Sequence, residues 1–65
     1  MIDKFQYYNV KVVREGQSGA VLETFDLKRV MARSQQEARE KSLRRIRMTM
    51  KRPCRLTVRH TEEAN

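Results

Sequence analysis

Apolar and polar residues alternate in three stretches of the chain, and a period of two is typical of β-strands. The first stretch, "FQYYNVKVV", predicts a strand over about residues 4–13. Its apolar face is formed by Tyr8, Val10 and Val12. Its other face is partly polar and includes Tyr7, Asn9 and Lys11.

The next segment, "REGQSG", holds both glycines and predicts a hairpin loop. The stretch after it predicts a second strand over about residues 20–33. Its alternation changes parity, because Phe25 and Leu27 share one face while Val30 and Ala32 share the other. A β-bulge near Lys28-Arg29 would bring both pairs to the same side.

The segment "SQQE", from Ser34 to Glu37, matches a capping box and predicts a helix over about residues 35–50. The helix is expected to end there because Pro53 biases Arg52 away from helical geometry. At 3.6 residues per turn one sector of this helix carries Ala38, Ser42, Leu43, Ile46 and Met50.

After the proline, "CRLTVRH" alternates again and predicts a third strand over about residues 54–60. The inward face would carry Cys54, Leu56, Val58 and His60. The outward face would carry Arg55, Thr57 and Arg59. The last segment, residues 61–65, is expected to be a frayed tail.

The order β-β-α-β predicts a single α+β domain over residues 1–65. Its three-stranded antiparallel or mixed sheet has the order 2-1-3, and the helix covers one face. The other face is left open. The expected core consists of Tyr8, Val10, Val12, Phe25, Leu27, Val30, Ala32, Ala38, Leu43, Ile46, Met50, Leu56 and Val58.

Charge is distributed unevenly in this 65-residue chain of net charge +7. Residues 41–60 carry eight of the fifteen Lys and Arg residues and none of the eight acids. The rest of the chain is close to neutral. The sequence therefore predicts a nearly neutral globule with one strongly cationic segment, which favours an anionic partner.

Composition also argues against several classes of protein. There is one Cys and one His, so neither a zinc site nor a nucleophile–base set can be assembled, and we expect no enzyme activity, metal or cofactor. No stretch is long and apolar enough for a membrane span or a signal peptide, so we expect a cytoplasmic protein that does not bind membranes.

Two basic surfaces are candidates for nucleic-acid binding. Pro53 separates them along the chain, because it divides the predicted helix from the predicted third strand. The open sheet face offers an aromatic ring for base stacking and cations for phosphates, from Tyr7, Lys11, Arg55 and Arg59. The helix offers a cationic side formed by Lys41, Arg44, Arg45, Arg47 and Lys51. A solvated polar face and favourable helix-dipole pairing would explain the same charges without any partner.

The run "FDLKRVMARSQQEAREKSLRRI" followed by "CRLTVRH" resembles the strand, capped helix and closing strand of LX, a small archaeal ribosomal protein. The resemblance rests on Ala32, Ser34, Glu37, Ala38 and the closing strand. It implies binding to structured RNA and carries over no binding residue. Other compact β-β-α-β proteins share these features, among them phage-encoded proteins such as some anti-CRISPRs.

Two functions follow as hypotheses. The first is a small basic protein that binds RNA or single-stranded nucleic acid through phosphate contacts. The alternative is a phage or mobile-element module, such as an inhibitor of a host machine, that docks its cationic surface on an acidic protein. The open sheet face or an edge strand could also support a homodimer.

Overall fold

The computed structural model describes residues 4–51 and 54–64. Its elements are β1 (Gln6–Glu15), β2 (Val21–Ala32), α1 (Gln35–Thr49) and β3 (Arg55–Ala64). The strands form one antiparallel sheet in the order β2-β1-β3, and α1 packs on one face. The predicted α+β fold and strand order are therefore confirmed. The predicted effect of Pro53 on Arg52 lies outside the described residues.

The loop between β1 and β2 is closed by two backbone hydrogen bonds. Gly16 N–H donates to the carbonyl of Ala20 over 2.9 Å, and Gly19 N–H donates to the carbonyl of Gly16 over 3.0 Å. Gly19 has a φ of 84°, a conformation that costs other residues free energy but not glycine. The glycines therefore serve turn formation, as the sequence predicts.

The predicted β-bulge in β2 is confirmed by the register of the hairpin. Tyr8 lies opposite Val30, whereas Val10 lies opposite Leu27, so β2 contains one extra residue at Lys28–Arg29. The extra residue restores the apolar side chains of the following segment to the helix-covered face. A change of parity in the sequence thus has the expected structural cause.

Every predicted core residue joins one cluster between the sheet and α1. Seven are buried: Tyr8, Val10, Val12, Val30, Ala32, Ala38 and Ile46. Six more are partly buried against them: Phe25, Leu27, Leu43, Met50, Leu56 and Val58. Sequence reasoning missed Val13, which is 4% exposed although it lies on the opposite face, in register with Thr24 and Thr57 of the two neighbouring strands.

The predicted capping box also forms at the start of α1. Ser34 Oγ accepts a hydrogen bond from Glu37 N–H over 3.2 Å. The Glu37 carboxylate reaches back one residue further than in the standard motif, to accept from Arg33 N–H over 3.3 Å. The helix ends at Thr49, with Met50 in extended geometry as its C-cap.

The third strand is longer than expected, and the prediction of a frayed tail is wrong for residues 61–64. Thr61 lies opposite Val10, and Ala64 lies opposite Tyr7. The polar segment "TEEA" carries little strand propensity of its own. It pairs because the first half of β1 offers a second edge of hydrogen-bonding groups, which a central strand must satisfy.

Another bulge lies in β3 and corrects the predicted position of His60. Lys11 lies opposite His60, whereas Val12 lies opposite Val58, so Arg59 is the extra residue. The insertion shifts the parity of everything after it. His60 therefore lies beside Lys11 on the open face and not on the inward face, and its side chain is 63% exposed.

Candidate nucleic-acid interface

The cations predicted on the helix side are all exposed, and they divide into two groups. Arg44 and Arg47 flank Met48, which is 81% exposed, on the side away from the sheet, and Lys51 follows the end of α1. Arg45 and Lys41 lie on the flank of α1 that borders β2. Spacings of three and four residues place each group on one side of the helix.

Lys41 differs from the other four because its ammonium group is engaged within the fold. Its Nζ donates to the carbonyl of Met31 over 2.9 Å and lies 3.3 Å from Glu37 Oε1. Partial desolvation raises the pKa of Glu37, but the hydrogen bonds from Arg33 N–H and Lys41 outweigh it and hold that pKa below its ordinary value. Lys41 is thus partly committed to structure.

The remaining cations of the helix set have no acidic partner in the part of the chain that the structure describes. None of Arg44, Arg45, Arg47 and Lys51 forms an ion pair with residues 4–51 or 54–64. The segment 41–51 contains no Asp or Glu. This is a local concentration of uncompensated positive charge.

The four residues predicted on the sheet lie on the open face but do not form one cluster. Tyr7 pairs with Ala64 near one end of β1, and Arg55 pairs with Glu15 at the other end. Tyr7 and Glu15 are eight positions apart in β1, a distance of about 26 Å along the strand. Lys11 lies midway, so one small ligand cannot contact all four.

Acidic side chains also interrupt the open face. Arg59 Nη2 lies 3.7 Å from Glu15 Oε2. Lys11 lies between Asp26 and His60 of the neighbouring strands, and His60 Nε2 is 3.5 Å from Glu62 Oε2. Glu62 also lies on this face, because β3 extends to Ala64, whereas the sequence predicted that Glu62 belongs to a frayed tail. Positive and negative charges are therefore mixed on the open face.

Two aromatic–guanidinium pairs lie at the end of the sheet where β1 begins and β2 ends. The Cζ atom of Arg29 lies 5.2 Å from the centroid of the Tyr7 ring, and Cζ of Arg33 lies 5.2 Å from that of Phe5. Both rings are exposed, at 43% and 47%. Sequence reasoning proposed Tyr7 but not the two arginines, whose positions depend on the β2 bulge and on the strand register.

Arg29 itself has a φ of 55°, in the left-handed region that residues with a Cβ seldom adopt. The side chain of Asn9 supports this conformation, because its Oδ1 accepts a hydrogen bond from Arg29 N–H over 3.1 Å. The bulge therefore directs the arginine toward Tyr7. It also brings Arg29 to a groove of about 280 Å³ between β2 and α1, which Lys41 and Arg45 line as well.

The surfaces combine cations and rings, which are groups that bind phosphates and bases. Among the described residues, no three His, Cys, Asp or Glu side chains come together as a metal-binding group. In the same residues no helix has the length and apolar character needed to cross a membrane.

Comparison with protein-family models, with curated proteins and with solved structures finds no match to this chain. The resemblance to the ribosomal protein LX is therefore neither strengthened nor weakened, and it stays a prediction.

Proposed function

We propose that this protein is a small non-enzymatic protein of the cytoplasm that binds RNA or single-stranded nucleic acid through phosphate contacts. The contacts are made by the cationic helix surface, defined as Arg44, Arg45, Arg47 and Lys51. The observation that carries the proposal is that these four exposed cations have no ion-pair partner among the described residues.

The physical basis is the release of counterions that are condensed on the nucleic acid. A protein that neutralises four phosphates has a log–log dependence of affinity on salt with a slope of roughly −3. Cations already paired with carboxylates contribute less, because a phosphate must displace the carboxylate. The helix surface is therefore the stronger candidate for phosphate binding, since in the sheet set Arg59 lies 3.7 Å from Glu15.

The test measures fluorescence anisotropy of a labelled single-stranded oligonucleotide over a series of salt concentrations. In one variant Arg44→Gln, Arg47→Gln and Lys51→Gln are combined. A matched variant combines Lys11→Gln, Arg55→Gln and Arg59→Gln, which lowers the net charge equally on the other side of the protein. We expect the helix variant to lose affinity and about two units of salt slope, and the sheet variant to lose much less.

Two results would contradict the proposal. Equal losses in the two variants would mean that net charge alone attracts the oligonucleotide, without a defined surface. Tight binding by the wild-type protein with no dependence on salt would exclude the phosphate mechanism. Circular dichroism of each variant checks that the fold is retained.

A protein partner is the second function, and the apolar end of the hairpin favours it. Val21 and Leu22 are 49% and 56% exposed. A phage or mobile-element inhibitor could combine this apolar end with the cationic surface when it docks on an acidic protein. A defined partner that is captured after nuclease treatment, and lost with Val21→Ser and Leu22→Ser, would favour this function over the first.

A further inference from the structure

We propose that a single strand crosses the free edge of β2 and stacks its bases on the two aromatic–guanidinium pairs, Tyr7 with Arg29 and Phe5 with Arg33. This stacking platform rests on the proposed nucleic-acid function and specifies its ligand. The ligand is a strand with unpaired bases, rather than any polyanion.

The two rings lie two positions apart in the chain, at the start of β1. Phe5 directly precedes β1 and Tyr7 lies within it, so their Cα atoms are at most about 7 Å apart. Both rings are exposed although neighbouring Tyr8 is 5% exposed. An exposed ring on the open face of a sheet, such as Tyr7, is a surface on which many proteins stack single-stranded bases.

A guanidinium group lies over each ring. Arg29 and Arg33 each lie 5.2 Å from a ring centroid, and a guanidinium plane stacks on bases as well as contacting phosphate. Lys41 Nζ also lies 5.9 Å from the Phe5 ring, although its charge is paired with that of Glu37. The platform therefore offers both stacking surfaces and charge for the backbone of the same strand.

A line of cations joins the platform to the cationic helix surface. Arg45 belongs to the helix surface and lines the groove between β2 and α1 together with Lys41 and Arg29. Arg29 in turn contacts Tyr7. A flexible nucleic-acid strand can therefore pass from the helix, over the edge of β2, to the open face and stay close to cations along the whole path.

The backbone of Arg29 is a second, independent observation at the same place. A left-handed φ at an arginine is an outlier, and such outliers cluster at functional sites because the surrounding structure must hold them. Here Asn9 Oδ1 holds the arginine amide. Glycine would adopt this conformation more readily, so the arginine side chain itself is the feature that needs an explanation.

The platform predicts discrimination between strands that have equal numbers of phosphates. A duplex keeps its bases stacked on one another and cannot lay them on a sheet, and an abasic strand has none to offer. Electrostatic binding alone cannot distinguish a base-containing strand from an abasic strand of the same length.

The experiment compares three labelled ligands of about 16 nucleotides: oligo-dT, its abasic counterpart and a duplex. Wild-type protein is expected to bind oligo-dT at least about fivefold tighter than the abasic strand. Phe5→Leu with Tyr7→Leu keeps apolar bulk but removes the rings, and should abolish this preference. Tyr7→Phe, which retains a ring, should keep it.

The outcomes separate the platform from the proposed function. If wild-type protein binds oligo-dT and the abasic strand equally, or if the double leucine variant keeps the preference, the platform is wrong while phosphate binding stands. If none of the three ligands binds at low salt, the proposed function itself fails. The triple glutamine variant of the helix should weaken both single strands by the same factor.

Discussion

Arg29 shows how a single residue can be placed by its neighbours against its own preference. A residue with a Cβ in the left-handed region costs about 1–2 kcal/mol relative to the right-handed one. The bulge compensates by keeping Val30 and Ala32 buried, and Asn9 supplies an acceptor for the arginine amide. The change of parity in the sequence predicts the bulge. It does not predict which residue adopts the left-handed conformation.

Replacing Arg29 should therefore show whether its left-handed backbone conformation costs stability. We expect Arg29→Gly to leave the free energy of unfolding unchanged or raise it by up to about 1 kcal/mol, because relief of strain exceeds the added entropy of the unfolded chain. Urea denaturation followed by circular dichroism measures this.

The matched variant is Arg29→Val, which removes the same charge but adds a β-branched side chain. It should destabilise the protein by about 1 kcal/mol or more, since such side chains fit the left-handed region worst. If the glycine and valine variants were equally stable, the φ of Arg29 would not be a source of strain.

At the scale of elements, the bulges at Lys28–Arg29 and at Arg59 show why one irregularity could be predicted and another could not. In β2 the parity change falls between the apolar pairs Phe25/Leu27 and Val30/Ala32. Because both pairs must face the core, the sequence itself predicts the bulge between them. In β3 the extra residue is Arg59, and polar residues follow it. Residues 60–63 include no apolar side chain that would show which face is inward, so the correct position of His60 had no signal in the sequence.

The helix start was predictable because its capping groups are local in sequence, and its stability should depend on pH. The pKa of Glu37 is lowered in the folded protein, so ionised Glu37 stabilises the fold at neutral pH. That contribution is lost as the pH falls below 4.5, the ordinary value, through the folded-state pKa. Glu37→Gln should lower the melting temperature at neutral pH and have little effect in acid.

Melting curves of both proteins at a series of pH values test this dependence. Glu40→Gln is the control, because Glu40 lies on the same helix but contacts the side chain of Gln36 and neither Arg33 nor Lys41. A difference between wild type and Glu37→Gln that persists unchanged in acid would contradict the capping role of the carboxylate.

At the scale of the whole molecule, the sequence predicts the core but not the composition of the surfaces. Burial follows apolar periodicity, which each element displays within its own residues, and all the predicted core residues cluster as expected. A surface combines residues from several strands, and its charge depends on register. The pairing of β3 with the first half of β1 adds Glu62 to the open face. This pairing joins residues that are far apart in the sequence, so no local pattern predicts it.

The length of β3 leads to a prediction for the whole fold. A chain that ends at His60 loses the pairs of β3 with Tyr7, Tyr8, Asn9 and Val10. Since a domain of this size has a net stability of roughly 3–10 kcal/mol, we expect the shortened chain to be largely unfolded at room temperature. Circular dichroism and thermal melting measure this.

The control for that truncation is the full chain with Glu62→Gln and Glu63→Gln. It removes the same two acidic charges but leaves the strand in place, and it should melt close to the wild-type protein. A truncated chain with the wild-type melting temperature would show that residues 61–64 add nothing to the sheet.

The central position of β1 also has a consequence for the order in which the chain assembles. The first strand to be synthesised needs partners on both sides, and one of them, β3, is the last of the three to emerge from the ribosome. Until then the hairpin and helix can associate, but β1 remains an open, apolar edge. A nascent chain is thus most prone to mispairing just before its final strand arrives.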